Sequence, residues 1–334
     1  MRAVSASAPG KIVLCGEYAV LFGAPAVVTA VDCRARVEVR IIAGNESRLS
    51  VPGMHAATAR FRREGPGEFH WSAARYRLVE EVIDALDQSK LPAIAYTLDT
   101  QAFRDESSGK KIGFGSSAAV ATALAAALLT LLDLHSDVHA VAASAHWAYQ
   151  SGTGSGVDIA ASVTGGTLRF EKSDVPDIRA LHWPDGLEYS ILWSGHPSST
   201  TRILRRLDTR SAAVRPSGVA LSVAAHEVAN LWETGSTSKL LGGLRDYVSK
   251  LQQFSEDHAI GIFDAGHQQL LEPAEALGLV YKPCGAGGGD IGVVFGTDSS
   301  AISEFCKHAE SNGFARLDLA VSSPGVSSNW HKEA

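Results

Sequence analysis

KKIGFGSSAAVATALAAALLTLL, residues 110–132, decides how this chain is read, because a polar loop with two glycines runs straight into a long alanine and leucine helix. Gly113 and Gly115 let the backbone approach a ligand closely. The first amides of a helix beginning at Ser116, Ser117 and Ala118 have no intrahelical partner, and the helix dipole adds positive potential there. Such an end favours an anion, and the serine hydroxyls suit phosphate oxygen or Mg2+. The pattern predicts a phosphate site.

Two other readings fit the same residues. GFGSSA satisfies the dinucleotide fingerprint GxGxxG/A, with Asp133 near the acidic offset, but that fold needs a buried strand just before the first glycine. Residues 105–111, DESSGKK, are polar, and no GxxxxGK[ST] loop occurs. In the second, a serine simply caps a core helix.

Two further glycine clusters stand out. KPCGAGGGDIGVVF, residues 282–295, carries five glycines between positions 285 and 292. There Gly287, Gly288 and Gly289 could turn amides to an anion, with a flexible loop as the alternative and Asp290 as a turn cap. In QSGTGSGVDIAA, residues 150–161, Asp158 follows three glycines and is expected at a strand edge facing a cleft, or as a turn cap.

The surrounding chain predicts an α+β protein. Residues 34–41, RARVEVRI, alternate as a half-buried strand does, and Leu78, Val79, Val82, Ile83 and Leu86 form one helical stripe. AIAYTLDT then reads as a strand, Ser116 to Asp133 and Val138 to Gln150 as helices, and DIAASV and GTLRF as paired strands. Residues 172–186 are rich in turn formers, which divides the chain into a first lobe, 1–171, and a second, 186–334. The second opens on the strand EYSILWS, continues in helices from about 200 to 276, and adds strands near Leu279 and Ile291, a helix and a last strand.

At 334 residues, 45% hydrophobic and 20% charged, the chain is long enough for two lobes and ordinary in composition. A net charge of −6 offers no basic field, so no nucleic acid is expected. Four scattered cysteines suggest free thiols in a reducing cytoplasm. The N-terminal residues lack the apolar core of a signal peptide, and Ala118 to Leu132 is short for a membrane span, so no membrane is expected.

In order, SAPGKIVLCGEYAVLFGAPAVV (7–28), KIGFGSSAAV (111–120) and CGAGGGDIGVVF (284–295) resemble the three signature motifs of the GHMP kinases. The resemblance implies a lobe like the second domain of ribosomal protein S5, with a left-handed crossover, followed by a ferredoxin-like lobe. ATP and Mg2+ are the implied cosubstrates. GEYAVLFGAPAVV, GSGVDIAASVTGG and WSGHPSSTTRIL (193–204) are most similar to the phosphomevalonate kinase branch, which implies 5-phosphomevalonate as acceptor, with mevalonate or another small molecule as alternatives. A non-catalytic ATP sensor is the rival from another class, and homodimer formation stays open.

By motif position, Lys11 and Asp158 are implied in chemistry. Lys111, Gly113, Gly115, Ser116, Ser117 and Ala118 fall to the ATP phosphates, and Ser116 or Ser117 to Mg2+. Glu17, Tyr18, Lys110, Ser155, Gly156, Arg202, Gly287, Gly288, Gly289 and Asp290 fall to the acceptor. Two departures qualify the match: SAHWAYQSG (144–152) has no acid where mevalonate kinases carry a metal-ligating glutamate, and Cys284 replaces the usual serine.

Overall fold

The alternating stretch 34–41 is the second half of a strand that organises the first half of the molecule. A computed structural model describes residues 3–53, 58–198, 207, 209–321 and 323–331. In it β1 (Ala3–Cys15) and β2 (Ala26–Ile41) form a long antiparallel pair with Ser7 opposite Arg36. Then follow β3 (Ser47–Ser50), β4 (Thr58–Gly65), β5 (Glu68–Trp71), helix α1 (Arg77–Asp84) and β6 (Ile94–Asp99). β3 and β6 are parallel neighbours, while the other pairs of this sheet are antiparallel.

Helices α2 (Ser116–Leu131) and α4 (Val157–Thr164) pack on the sheet, and α3 (Val138–Tyr149) packs on them and on α1. Because α2 is apolar on every side it can be stable only when enclosed, and it is buried along nearly its whole length against β1 and β2. Its alanines allow close approach, and fully buried Leu124 and Leu128 contribute about 2 kcal/mol each. Residues 158–163, expected as a strand, lie instead in α4. β7 (Thr167–Glu171) pairs with β2, and residues 177–181 of the expected linker form β8 (Asp177–Leu181), paired with β7.

The second half begins with β9 (Glu188–Trp193), followed by α5 (Thr209–Val214), α6 (Pro216–Thr234), α7 (Thr237–Asp257) and α8 (Leu271–Ala276). Proline at the first position starts α6, and the Ser236 hydroxyl caps α7. β10 (Val280–Pro283), β11 (Ile291–Gly296), α9 (Ser299–Ser311) and β12 (Ala315–Leu317) complete an antiparallel sheet of order β10-β11-β9-β12. A strand, helices, two strands, a helix and a strand in that arrangement match the expected ferredoxin-like order.

The last strand, β13 (Ser327–Trp330), leaves that sheet and pairs with β1, placing Val4 opposite Trp330. One apolar core runs from the first sheet to α6 and α7. A smaller one lies between the second sheet and α9. The three glycine motifs meet where the two sheets approach.

Candidate active site

At the centre of that meeting point is the start of α2. Gly113 (φ 110°) and Gly115 (φ 76°) adopt backbone conformations that other residues rarely hold, and Gly115 itself is the N-cap. Neither serine caps the helix, so that alternative fails, and the unpaired first-turn amides are left for a ligand. The dinucleotide alternative fails too, since a short 3-10 turn (Gln101–Phe103) and a polar loop, not a strand, precede Gly113. A β-carbon at position 113 would lie 2.5 Å from the Asp290 side chain. Gly113→Ala should therefore lower stability by about 1–3 kcal/mol, read as a reduced urea midpoint. A wild-type midpoint would mean that the loop relaxes freely.

The first motif contributes Lys11 from β1. Its amide donates to Phe114 O at 2.9 Å, and its alkyl chain packs on Gly115, where a β-carbon would stand 3.1 Å from Cε. Lys11 is buried to 9% exposure and has no ion pair among the described residues. With no direct ion pair to occupy it, the ammonium is left to meet an anionic ligand in the cavity described next. Asp158 lies in the first turn of α4, and both residues line a cavity of about 90 Å³ together with Tyr18, Ser155, Gly285 and Ala286. Asp158 is thus held by a helix, not a strand edge. Gly156 is the N-cap of α4, with the Ser155 hydroxyl 3.4 Å from the Val157 amide.

One site residue has no counterpart among the sequence expectations. His146, on the buried face of α3, places Nε2 3.0 Å from the Ser117 hydroxyl. Burial lowers its pKa, with Asp158 raising it and Lys11 lowering it further, so the ring faces Ser117 as neutral imidazole. The signal was visible in SAHWAYQSG, where the acid is missing and His146 falls on the helix face that packs inward. Among the described residues no three His, Cys, Asp or Glu side chains form a metal cluster. Serine hydroxyls beside a phosphate cradle still fit Mg2+, which keeps waters and takes few protein ligands.

The third glycine segment proves to be less open than its composition suggests. Gly288 N donates to Ile262 O at 2.8 Å, and Asp290 N to His196 O at 2.7 Å. At Gly287 and Gly289 a β-carbon would lie 2.5 Å from Ile262 O and 2.3 Å from His196 O. Close packing demands Gly287 and Gly289, and the Gly288 amide, expected in an open cradle, is taken by Ile262 O; Gly285 and Ala286 face the cavity. Asp290 accepts from Ser198 N at 2.9 Å. Burial raises its pKa to about 6, opposed by that N–H and by the charges of Lys11 and Lys111.

Glu17, expected at the acceptor, lines the same cavity as Lys11 and Asp158 and is also tied to the interior. Its buried carboxylate bonds Lys282 Nζ through one oxygen and accepts from Tyr247 O–H at 2.8 Å through the other. The Tyr18 hydroxyl donates to Ala286 O at 2.5 Å, which fixes the ring against the cavity wall. Lys110 is exposed and donates to Gly195 O at 3.1 Å, Lys111 is exposed at the phosphate loop, and Arg202 lies outside the described residues. Cys284 is a buried free thiol beside Lys282.

Comparison with known proteins agrees with this geometry. Residues 77–166 match the family GHMP kinases N terminal domain. The chain is 27% identical to phosphomevalonate kinase of Streptomyces sp. (strain CL190), over 97% of this chain and 99% of that protein. It is 25% identical to mevalonate kinase of Bos taurus, over 96% and 93% of the two chains. The fold resembles that of Streptococcus pneumoniae phosphomevalonate kinase in complex with phosphomevalonate and AMPPNP. That likeness has a TM-score of 0.79 at 18% identity and covers 95% of this chain and 99% of the other.

Proposed function

We propose that this chain, whose residues 77–166 are a GHMP kinase N-terminal domain, transfers the γ-phosphoryl group of ATP to 5-phosphomevalonate, giving 5-diphosphomevalonate and ADP. The observation that carries the reading is the buried, unpaired Lys11 sharing a cavity with Asp158 beside the open start of α2. The full-length likeness to a phosphomevalonate kinase supports the choice of acceptor.

In this reading the first-turn amides of α2, from Ser116 to Ala118, hold the ATP phosphates, and Lys111 adds positive charge at the loop. Mg2+, when bound with ATP, would supply charge neutralisation for the phosphates, and the Ser116 and Ser117 hydroxyls are the groups that would hold it. His146 orients the Ser117 hydroxyl. Lys11 stabilises charge on the transferring phosphoryl group.

The acceptor's phosphate has a second pKa near 6 and is mostly ionised at neutral pH, so Asp158 acts chiefly by orienting it. An acceptor oxygen forms the new bond to the γ-phosphorus as the bond to the β-phosphate oxygen breaks, and ADP leaves with that electron pair. We place the reaction in the cytoplasm, which four buried free cysteines favour. No helix among the described residues is long and apolar enough to cross a membrane. The division into lobes 1–171 and 186–334 belongs to the same proposal, with β13 added to the first.

The test is a panel of acceptors. Incubated with Mg2+ and ATP, the protein should release ADP with 5-phosphomevalonate and yield a product heavier by one phosphoryl group. Turnover of mevalonate in its place, the reading favoured by the mevalonate kinase likeness, would move the assignment to the neighbouring branch. Nucleotide binding with no turnover of 5-phosphomevalonate, mevalonate, galactose or homoserine would overturn both and favour a sensor.

A further inference from the structure

Behind the third glycine segment lies a buried histidine with no part in the reaction described above. His267 has 0% exposure, and both ring nitrogens are engaged: Nδ1 lies 2.7 Å from Tyr281 Oη and Nε2 lies 3.0 Å from Gly289 O. A carbonyl oxygen can only accept, so Nε2 carries a proton. Burial holds the ring's pKa down at about 4, leaving it neutral, and Nδ1 therefore accepts from the Tyr281 hydroxyl. Tautomer and direction are both fixed: Tyr281 O–H to His267 Nδ1, and His267 Nε2–H to the Gly289 carbonyl.

The surrounding sequence is shaped to admit this chain of bonds. A β-carbon at Gly292 would lie 2.2 Å from Tyr281 Oη, and one at Gly266 would lie 2.9 Å from the Phe314 ring. The His267 ring stacks on Tyr281 at 6.0 Å between centroids and meets the edge of Phe314 at 5.4 Å. Gly292 is thus the glycine of the third motif that serves the relay behind the loop.

What the relay holds is the segment between the two substrates. Its beginning, Gly285 and Ala286, lines the cavity of Lys11 and Asp158, and its end, Asp290, presses on Gly113 of the phosphate loop. Gly289 sits beside that end. We propose that His267 is a positioning residue, whose bond to the Gly289 carbonyl sets the height of the third glycine segment and with it the fit of both substrates. This rests on the kinase reading above for its effect on turnover, though not for its effect on the loop.

The experiment pairs kinetics with nuclear magnetic resonance of the full chain. His267→Leu removes both bonds, Tyr281→Phe removes only the Nδ1 partner, and His267→Gln keeps an N–H donor for Gly289. In wild type, the His267 ring nitrogens should report the neutral Nε2–H form at pH 7, and the Gly113 and Asp290 amide signals should move in His267→Leu. That variant should raise KM for ATP and for the acceptor about tenfold while kcat changes less than threefold. His267→Gln should restore KM to within about threefold, and Tyr281→Phe should fall between them.

If His267→Leu does not fold, Tyr281→Phe and the wild-type tautomer decide. An Nδ1–H tautomer, or a folded His267→Leu with wild-type amide signals and KM values, overturns the proposal. Absence of wild-type turnover with every acceptor overturns the kinase reading instead, and leaves the loop displacement to be judged by the amide signals alone.

Discussion

Replacing Lys282 by methionine is expected to destabilise the protein by about 3–5 kcal/mol, because it strands the Glu17 carboxylate in the interior. The two side chains are 0% and 2% exposed, and they join β10 of the second half to the first motif. Tyr247 on α7 closes the arrangement by donating to Glu17 and accepting from the Gly16 amide at 2.9 Å. Methionine matches the lysine stem in length and leaves no partner for the second carboxylate oxygen. Urea unfolding of Lys282→Met measures the loss, and the double variant with Glu17→Gln should recover much of it, since no charge is then buried alone. A single-variant loss below about 1 kcal/mol would mean that Glu17 reaches water or is protonated at little cost.

The second large effect is catalytic. Asp158→Ala should lower kcat by about 10²-fold, the cost of lost positioning, while the melting temperature stays near that of wild type. Asp158 lies on the partly exposed first turn of α4, where removing it opens no hole in the apolar core, and Val157 and Ile159 on either side remain buried. ADP release under saturating ATP and acceptor gives kcat directly. A variant that keeps more than a tenth of wild-type turnover would remove Asp158 from the mechanism and leave orientation to Ser155 and the helix terminus.

The phosphate loop was legible because its information is local: two glycines, small polar residues and an apolar helix follow one another in a single stretch. Residues 158–163 misled because DIAASV is short and its buried residues do not announce a helical period. The deciding feature was Gly156, at φ 86°, turning the chain into α4. β8 escaped notice because it is short, lies in a stretch rich in turn formers, and buries only Ile178 and Leu181, each in part.

Non-local pairings were invisible for another reason. Glu17 and Lys282 stand 265 residues apart, and nothing near either one signals the other. GEYAV therefore suggested a ligand contact at Glu17 but gave no sign of the internal ion pair that also holds it. His146 was in plain view within a motif already singled out, but only the packing of α3 against the start of α2 brings its ring to Ser117. In the third motif composition pointed to a cradle, whereas the neighbouring carbonyls of Ile262 and His196 dictate Gly287 and Gly289, and the Tyr281 hydroxyl dictates Gly292.

The pairing of β13 with β1 sets an order on how the molecule is made. During synthesis β1 emerges well before β13, and one of its hydrogen-bonding edges, from Val4 to Ser7, waits for residues 327–330. Until the ribosome has passed that point the sheet presents an open edge, the kind of surface on which strands of other chains add themselves. Yield in a cell should then depend on how quickly translation finishes or on a chaperone that shelters the edge meanwhile, a vulnerability of the nascent chain that the finished protein no longer has.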